Sequence, residues 1–373
     1  MTRFVHLTSV HPRYDTRIFL KMCRSLAAAG HQVTLVVADG KGDERKEGVQ
    51  ILDVGKSEGR LRRMFGTTRR VFKRALALNA DIYHLHDPEL LPIGLRLKRR
   101  GKRVIFDAHE DLPAQILSKP YLHPALRHTV SVMAATLERF VCRRLDTVVA
   151  ATPTIRDKLL DQGVTATDIN NFPTLGELEG DISWGEKSRE VCYVGGITAI
   201  RGIREVVAAM ALCRSKARLN LGGKFAEQDV KRDAEKSPGW SAVNELGFLS
   251  RSEMKSVLGR SLAGIVTFLP EPNHVTAQPN KMFEYMSAGL PVIASHFPLW
   301  REIIETNECG ICVDPLDPKA IADAIDWLVE NPTPARTMGE NGSKAVMERY
   351  NWSVEEEKLL ALYDKLIYAS DRS

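Results

Sequence analysis

The chain has 373 residues, too many for one ordinary hydrophobic core, which predicts two domains of typical size. Apolar residues make up 44% and charged residues 27%, so the whole chain should be globular, and the lack of any run of about 18 apolar residues excludes an integral membrane protein with spanning helices. The net charge of +5 is uneven, because residues 1–175 hold 29 Lys and Arg against 18 Asp and Glu, whereas residues 176–373 hold 23 against 29.

The first half of the chain alternates apolar runs with amphipathic stretches, which is typical of a doubly wound parallel sheet. Buried strands are predicted at Phe4 to Val10, Gln32 to Ala38, Ile82 to Leu85, Arg103 to Ala108 and Thr147 to Ala151. Helices are predicted at Thr16 to Ala29, Gly66 to Leu78, Leu90 to Arg100 and Pro124 to Arg144.

A second alternating series follows Thr174. Its strands are predicted at Val191 to Val194, Arg218 to Leu221, Val243 to Leu246, Leu262 to Phe268, Val292 to Ala294 and Gly310 to Val313. The segment from Thr174 to Lys187 is rich in Gly, acidic residues and Ser, and we interpret it as the interdomain linker. We therefore expect an α/β fold of two Rossmann-like domains facing a central cleft, with ligands at the carboxyl ends of the strands.

A dinucleotide-dependent dehydrogenase is the natural rival for such a fold. The turn after the first strand contains no glycine, and no predicted strand is followed by G-x-G-x-x-G with an acid about 20 residues further on. The sequence therefore argues against a dehydrogenase.

The most informative stretch runs from Pro279 to Ser295 and indicates a polar loop, a helix with an acid in its first turn, a Gly stop and a short buried strand. The free N–H groups and positive dipole of a helix start suit a phosphate. Glu284 is able to accept hydrogen bonds from a ribose diol, and we count Asn280 with it as donor-binding.

This stretch resembles the nucleotide-binding helix of GT-B glycosyltransferases, particularly the retaining GT4 family, in which a Glu at this position holds the nucleotide ribose. The resemblance covers nearly the whole chain and is strongest from Tyr193 to Tyr350. It implies an acceptor domain of residues 1–173 joined by the C-terminal helix 353–373, and a donor domain of residues 188–352.

The second domain opens with a strand and a Gly-rich turn, Tyr193 to Ile203, in which backbone amides and Arg201 are placed to clamp a diphosphate. Relatives usually carry an Arg and a Lys here. Gly196, next to Gly195, stands at the Arg position and Arg201 at the Lys position, so we expect Lys281 to supply part of the missing charge.

The family also carries two glutamates with seven residues between them, of which Glu284 matches the second. The first position is occupied by Thr276, so the loop from Pro270 to Pro279 must read the donor sugar differently. Asn273, Thr276 and Gln278 are the candidates. The alternative is that the proline-rich spacing only makes a rigid surface loop.

Two polar groups follow predicted strands of the first domain, one containing His84, His86 and Asp87 and the other containing Asp107, His109 and Glu110. Two histidines near carboxylates suggest a metal site. Enzymes of this architecture need no metal, because helix termini and cations neutralise the phosphates, so we predict neither a metal nor another cofactor.

The resemblance places His109 under the donor sugar and matches His86 and Asp87 to a motif beside the cleft. With Glu110 they form the predicted acceptor side, although either His also fits a satisfied buried imidazole. The loop before the first long helix adds Asp15 and Arg17 to this side. Asp15 is also a sensible N-cap, so a purely structural role is the competing interpretation.

Cations alternate with apolar residues from Arg60 to Arg74 and again from Arg96 to Arg103. The first stretch is equally compatible with a surface on anionic lipid and with a solvated helix face, whereas the second favours the solvated face. Nucleic acid is a weaker partner, since neither stretch interleaves aromatics for base stacking. Six scattered cysteines indicate a reducing compartment, and the C-x-x-C of Cys309 and Cys312 is interpreted as packing.

We therefore expect a retaining hexosyl- or N-acetylhexosaminyltransferase that moves a sugar from a nucleotide sugar, UDP favoured over GDP, to a hydroxyl of a lipid-linked glycan. The predicted setting is bacterial cell-surface polysaccharide or lipopolysaccharide assembly, in the cytoplasm at the inner face of the plasma membrane. Arg201, Lys281 and His109 are the predicted catalytic residues. A nucleotide-sugar epimerase of the same fold and a non-catalytic partner of another transferase are the alternatives.

Overall fold

The computed structural model describes residues 2–59, 62–117, 123–179 and 184–368. The chain divides into two compact units. The first unit comprises the residues up to Asn171 together with those from Val354 onward, and the second comprises Phe172–Ser353. Arg60, Leu61 and the last residues of the predicted C-terminal helix lie outside the described residues.

The described residues of the first unit form an eight-stranded sheet in the order β3-β4-β2-β1-β5-β6-β7-β8, parallel except for the pairing of β3 with β4. The strands are β1 Arg3–Leu7, β2 Gln32–Val37, β3 Glu44–Lys46, β4 Val49–Asp53, β5 Ile82–Leu85, β6 Arg103–Ala108, β7 Thr147–Ala150 and β8 Ala166–Asp168.

Helices cover both faces of this sheet in the manner of a doubly wound fold. They are α1 Arg24–Ala28 after a π-helical segment Ile18–Cys23, α2 Thr68–Leu78 after a π-helical segment Arg63–Thr67, α3 Leu91–Lys98, α4 Leu112–Leu117, α5 Pro124–Cys142 and α6 Pro153–Asp161.

The described residues of the second unit form a six-stranded, fully parallel sheet in the order β11-β10-β9-β12-β13-β14. Its strands are β9 Glu190–Val194, β10 Arg218–Gly222, β11 Val243–Gly247, β12 Ala263–Val266, β13 Val292–Ser295 and β14 Gly310–Val313. Its helices are α7 Ile203–Met210, α8 Gln228–Lys236, α9 Arg251–Arg260, α10 Asn280–Ser287, α11 Pro298–Thr306, α12 Pro318–Glu330 and α13 Pro332–Glu348.

The last helix, α14 Trp352–Tyr368, joins the first unit from Val354 onward. The buried Tyr363 hydroxyl lies 2.6 Å from Nδ1 of His84, and its ring packs edge-on against Phe4. Glu355 accepts a 2.8 Å hydrogen bond from the backbone N–H of Asn170. The helix is therefore fixed to the first sheet by both packing and buried polar contacts.

The prediction of two Rossmann-like α/β domains is confirmed, whereas several element boundaries are corrected. The first strand ends at Leu7 rather than Val10, because Thr8 and Ser9 leave the sheet to donate hydrogen bonds to Asp87. The strand predicted at Leu262 to Phe268 spans only Ala263–Val266. In the segment interpreted as a linker, Leu178 is buried in the second unit's core, so part of that segment packs with the second unit.

Candidate functional site

The Gly-rich turn after β9 and the start of α10 lie together in the second unit. Gly195 has φ of +130°, a conformation open to glycine, and a Cβ there would come within 3.2 Å of Lys281 Nζ. Arg201 folds back over the turn and donates a 3.0 Å hydrogen bond to the carbonyl of Gly196. A Cβ at Gly196 would lie 2.6 Å from Arg201 Nη1, so Arg201 fills the space where a side chain at position 196 would begin.

Lys281 is the most unusual charged residue of this region. Its side chain is buried, and Nζ has no hydrogen-bond partner among the described residues. It sits 3.7 Å from the ring centroid of Tyr193. Burial and then the charge of Arg201 lower the pKa of Lys281 well below the usual range for lysine. An unpaired buried amine beside a glycine turn is a prepared site for an anion.

Other polar atoms around the same turn are also buried without a partner in the part of the chain that the structure describes. They are Oγ1 of Thr198, Oγ1 of Thr267 and Oε1 of Gln278. α10 begins at Asn280, which is exposed, after Pro279, which provides no side-chain cap. The N–H of Met282 donates a 3.0 Å hydrogen bond to the carbonyl of Pro279, and the N–H groups of Asn280 and Lys281 are left for water or a ligand.

Glu284 lies in the second turn of α10 rather than in the first turn as predicted, because the helix begins at Asn280. Its carboxylate is held by an arginine that was not predicted. Arg251, at the start of α9, donates one hydrogen bond of 2.7 Å to Glu284 Oε1 and another of 2.7 Å to Glu177. Ser250 and Glu253 form a capping box that fixes this helix start. The second carboxylate oxygen of Glu284 has no hydrogen-bond partner among the described residues and is available to a ribose hydroxyl.

The loop before α10 carries the predicted sugar-reading residues. Asn273 and Gln278 are half-buried, and Thr276 is exposed. His274 anchors the loop, because its ring packs on Phe268 and its Nδ1 lies 3.1 Å from the carbonyl oxygen of Leu269. Their contact with a donor sugar remains a prediction.

In the first unit, the strand ends of β5 and β6 meet around the fully buried carboxylate of Asp107. Arg17 makes a bidentate ion pair with it, with Nη2 to Oδ1 at 2.7 Å and Nε to Oδ2 at 2.9 Å. His86 Nδ1 and His109 Nε2 lie 3.1 and 2.9 Å from Oδ2. Burial raises the pKa of Asp107, but Arg17 and the two histidines more than reverse this and hold its pKa well below the usual range.

The Asp107 carboxylate accepts hydrogen bonds from the ring nitrogens that face it, and this orients His109. Its Nε2 points to Asp107, and its Nδ1 has no hydrogen-bond partner among the described residues. The His109 side chain is 20% exposed and lines a cavity. His6, which the sequence analysis did not single out, supports the arrangement from behind, since its Nδ1 lies 2.9 Å from Nε2 of His86.

Asp87 organises the loop that follows β1. It is buried and accepts hydrogen bonds from the N–H of Ser9 at 2.6 Å and the hydroxyl of Thr8 at 2.9 Å, and it pairs with His11 at 2.9 Å. Burial raises its pKa, but these partners lower it to about 2. His11 in turn packs against the ring of His109, with 4.8 Å between the ring centroids.

The remaining predicted acceptor-side residues have local partners. Asp15 accepts hydrogen bonds of 2.9 Å from the N–H groups of Arg17 and Ile18, as its N-cap interpretation requires. Arg17 is buried and paired with Asp107. Glu110 is exposed and bonded to Gln115. Their roles toward an acceptor therefore stay predictions.

A cavity of about 1070 Å³ opens at the carboxyl ends of β5 and β6. Apolar side chains line most of it, His86, Asp107 and His109 lie along it, and three arginines line it as well: Arg63, Arg69 and Arg96. Glu138 of α5, another residue missed by the sequence analysis, also lines it. Burial and then the charge of Asp111 raise the pKa of Glu138 to about 7.

Two groups of side chains have the geometry to hold a metal ion. Ligand atoms of His86, Asp107 and His109 lie within 4.8 Å of one another, as do those of His6, His84 and His86. Both ring nitrogens of His86 have hydrogen-bond partners without an ion, whereas Nε2 of His6 and Nε2 of His84 have none among the described residues. The expectation that no metal takes part remains a prediction.

The remaining sequence interpretations concern the cysteines and membrane helices. The six cysteines are free, and Cys309 is buried in the core of the second unit. Among the described residues, no helix combines the length and apolar composition needed to cross a bilayer.

Two family models match consecutive parts of the chain. The model described as "Glycosyl transferase 4-like domain" matches residues 16–173, and the model "Glycosyl transferases group 1" matches residues 177–345. The chain is 22% identical over 191 residues to the MMP alpha-(1->4)-mannosyltransferase of Mycolicibacterium hassiacum, covering 48% of this chain and 44% of that one. It spans about half the length of the first curated relatives that it matches.

Solved structures show the same fold. Sucrose-phosphate synthase from Thermosynechococcus elongatus superposes with a TM-score of 0.80 at 20% identity, over 99% of this chain and 100% of that one. HepE of Anabaena, in complex with UDP and glucose, superposes with a TM-score of 0.73 at 14% identity, over 98% and 100% of the two chains.

Proposed function

Because the chain belongs to the glycosyltransferases of the 4-like and group 1 families and has the GT-B fold, we propose that it transfers a sugar from a nucleotide diphosphate donor to a hydroxyl acceptor with retention of configuration. The observation that carries the proposal is the buried, unpaired Nζ of Lys281 beside the Gly195 turn and the uncapped start of α10. Such a site gains most from a diphosphate, which supplies the missing partners.

The proposed reaction breaks the bond between the anomeric carbon and the donor's diphosphate oxygen and forms a bond from the acceptor oxygen to the same carbon. The acceptor's proton passes to the departing phosphate. Negative charge develops on that diphosphate, and Arg201, Lys281 and the α10 N–H groups are placed to stabilise it. His109 is proposed to hold the donor sugar through Nδ1.

We assign the nucleotide base as uracil and the ribose contact to Glu284. Arg251 orients the Glu284 carboxylate, and this leaves one oxygen for a ribose hydroxyl. Support for UDP comes from similar structures that contain it, including HepE with UDP and glucose.

We assign the acceptor to the cavity beside His109 and infer that it is a lipid-linked glycan. A mostly apolar wall suits an acyl or prenyl chain, and the arginines Arg63, Arg69 and Arg96 suit its phosphate. This supports a role in polysaccharide assembly at the inner face of the plasma membrane. The basic stretch from Arg62 to Arg74 is partly engaged elsewhere, since Arg74 pairs with Asp43 and Arg70 bonds to backbone carbonyls.

The donor site is tested by melting-temperature shifts with UDP, GDP, ADP and dTDP and their sugars, for wild type, Glu284→Ala and a control at the exposed Glu302→Ala. A nucleotide at one hundred times its Kd adds about 2.7 kcal/mol to stability. We expect UDP to raise the melting temperature of wild type and the control, and Glu284→Ala to lose most of the shift. A shift unchanged in Glu284→Ala would refute the ribose assignment. Tight binding without turnover on any lipid acceptor would favour the non-catalytic partner.

A further inference from the structure

Helix α5 exposes most of its large apolar side chains. Its inward side carries Ser131, which donates a 2.8 Å hydrogen bond to the carbonyl of Pro113, the buried Glu138, and the core residues Val141 and Cys142. Its outward side carries large apolar residues that are between 37% and 67% exposed: Leu126, Val130, Val132, Met133, Leu137 and Phe140. A helix on the surface of a globular domain normally buries its apolar face. The outward side of α5 therefore lacks a partner of apolar character.

Five of these side chains follow one another at spacings of four, three, four and three residues, which places them in one stripe along the helix. They are Leu126, Val130, Met133, Leu137 and Phe140. The stripe from Leu126 to Phe140 is about 20 Å long at 1.5 Å per residue. We call these five residues the outer stripe of α5. A protein surface ordinarily shows exposed apolar residues singly, whereas these five form one continuous stripe.

Positive charges flank Phe140, at the C-terminal end of the outer stripe. Arg139 is the charged residue on the exposed side of the helix near its C-terminal end, and the acid beside it, Glu138, faces inward. Arg144 stacks on Phe140 at 3.7 Å. A hollow beside Phe140 and Arg144 is also lined by Lys98, the last residue of α3, and by Arg99, which follows it. Lys98 is also paired with Asp146. Apolar residues rimmed by cations match a surface of anionic lipid.

The outer stripe is continuous with the cavity proposed for the acceptor. Leu137 belongs to the stripe and also lines that cavity. Met64 and Phe65, which lie outside α5, line the cavity too, and Phe65 is 72% exposed. Leu137 therefore joins the stripe to the cavity, whose lining also includes the polar side chains of Glu110, Gln115 and Glu138. This continuity favours lipid over a second protein as the occupant.

We propose that the outer stripe of α5 lies on an anionic lipid bilayer, with the helix in the plane of the interface, and that it leads a lipid-borne acceptor into the cavity. The second clause rests on the proposed function, whereas bilayer binding does not. The stretch from Arg60 to Arg74 was predicted to be equally compatible with such a surface and with a solvated helix face, and that alternative stays open. We assign a lipid surface to α5, because it carries a longer run of exposed apolar side chains than the described part of that stretch.

The test is flotation of the full chain with phosphatidylcholine vesicles, with and without phosphatidylglycerol, in the absence of nucleotide. The variant Val130→Glu with Met133→Glu changes two stripe residues that do not line the cavity. The matched control, Phe248→Glu with Met347→Glu, changes two exposed apolar residues of the second unit. We expect wild type and the control to float with anionic vesicles, and the stripe variant to bind at least tenfold more weakly, about 1.4 kcal/mol.

Equal flotation of the stripe variant and wild type would overturn the proposal. So would a wild-type dimer, measured by light scattering without lipid, that the stripe variant converts to a monomer, because the stripe would then be an interface between copies. The melting-temperature shift that UDP induces distinguishes failure of the lipid surface from failure of the proposed function. A stripe variant that keeps the shift but no longer floats supports the lipid surface. If UDP causes no shift in wild type, the donor site is refuted and the lipid surface is not.

Discussion

We expect Lys281 to lower the stability of the ligand-free protein and to contribute to UDP binding. Its amine is buried and unpaired, and burial and then Arg201 lower its pKa well below the usual range. We expect Lys281→Met, which keeps the side-chain length, to stabilise the ligand-free protein by about 1 to 3 kcal/mol, because an unsatisfied buried donor is removed. The same variant should lose the UDP-induced melting shift.

The measurement is the melting temperature with and without UDP, together with calorimetric titration in buffers of different ionisation enthalpy. Wild type should take up a proton as UDP binds, because the diphosphate favours the charged amine, and the variant should not. Lys344→Met, at a largely exposed lysine, is the control. A destabilised Lys281→Met protein that still binds UDP with proton uptake would contradict the assignment.

Glu138 makes stability depend on pH. Its pKa is raised to about 7, first by burial and then by Asp111, whereas an unfolded Glu titrates near 4.5. The folded state therefore holds a proton that the unfolded state releases between these values, so stability is full below about pH 4.5 and is lost as pH rises through about 7. Glu138→Gln removes this loss, which amounts to about 3 kcal/mol at most.

We expect Glu138→Gln to melt close to wild type at pH 5 and well above it at pH 8. Thermal scans at both pH values measure the difference, with Glu357→Gln at an exposed position as the control. A difference that is the same at both pH values would show that Glu138 is charged in the folded protein at neutral pH.

Residues whose partners lie near in sequence or at a strand end were predictable, and those set by tertiary contacts were not. Glu284 and Lys281 follow a helix-start pattern that local chemistry explains. Arg251 lies 33 positions before the Glu284 that it holds. Nothing in the sequence around Glu138 indicates that its side chain points inward. The orientation of α5, with Glu138 buried and Leu137 exposed, is set by how the helix packs on its neighbours.

At the scale of the element, apolar runs identified the central strands of both sheets because these strands are buried on both faces. Strands β3, β4 and β8 were not predicted. The two edge strands, β3 and β8, have three residues each, and β3 carries only charged side chains, so the apolar pattern is missing there. β4 lies between β3 and β2 and has apolar residues that were not recognised as a strand. The sheet recruits them through backbone hydrogen bonds.

Helix α14 contributes stability to the first unit through a buried contact. Tyr363→Phe removes the hydroxyl that lies 2.6 Å from His84 Nδ1. Because Nε2 of His84 already has no partner among the described residues, the buried imidazole would lose the hydrogen bond of its other nitrogen as well. We expect a loss of about 1 to 3 kcal/mol. Thermal unfolding measures it, with Tyr368→Phe, 66% exposed, as the control. Equal melting of the two variants would show that the contact is energetically neutral.

At the scale of the whole molecule, the division into two units with separate cores predicts that ligand and helix contacts act on different parts of the unfolding profile. Lys281, Arg201 and Glu284 all belong to the second unit, and the Tyr363 contact belongs to the first. We expect calorimetry to resolve two transitions. UDP should raise the one that Lys281→Met also raises, and Tyr363→Phe should lower the other.

This result requires that the two cores unfold with limited coupling, as separate domains often do. A UDP concentration of one hundred times Kd should move only the second unit's transition, by the equivalent of about 2.7 kcal/mol. If UDP instead raises both transitions equally and Tyr363→Phe lowers both, the chain unfolds as one cooperative body. The Tyr363 contact would then stabilise both units against unfolding, and bound UDP would raise the stability of the first unit as much as that of the second.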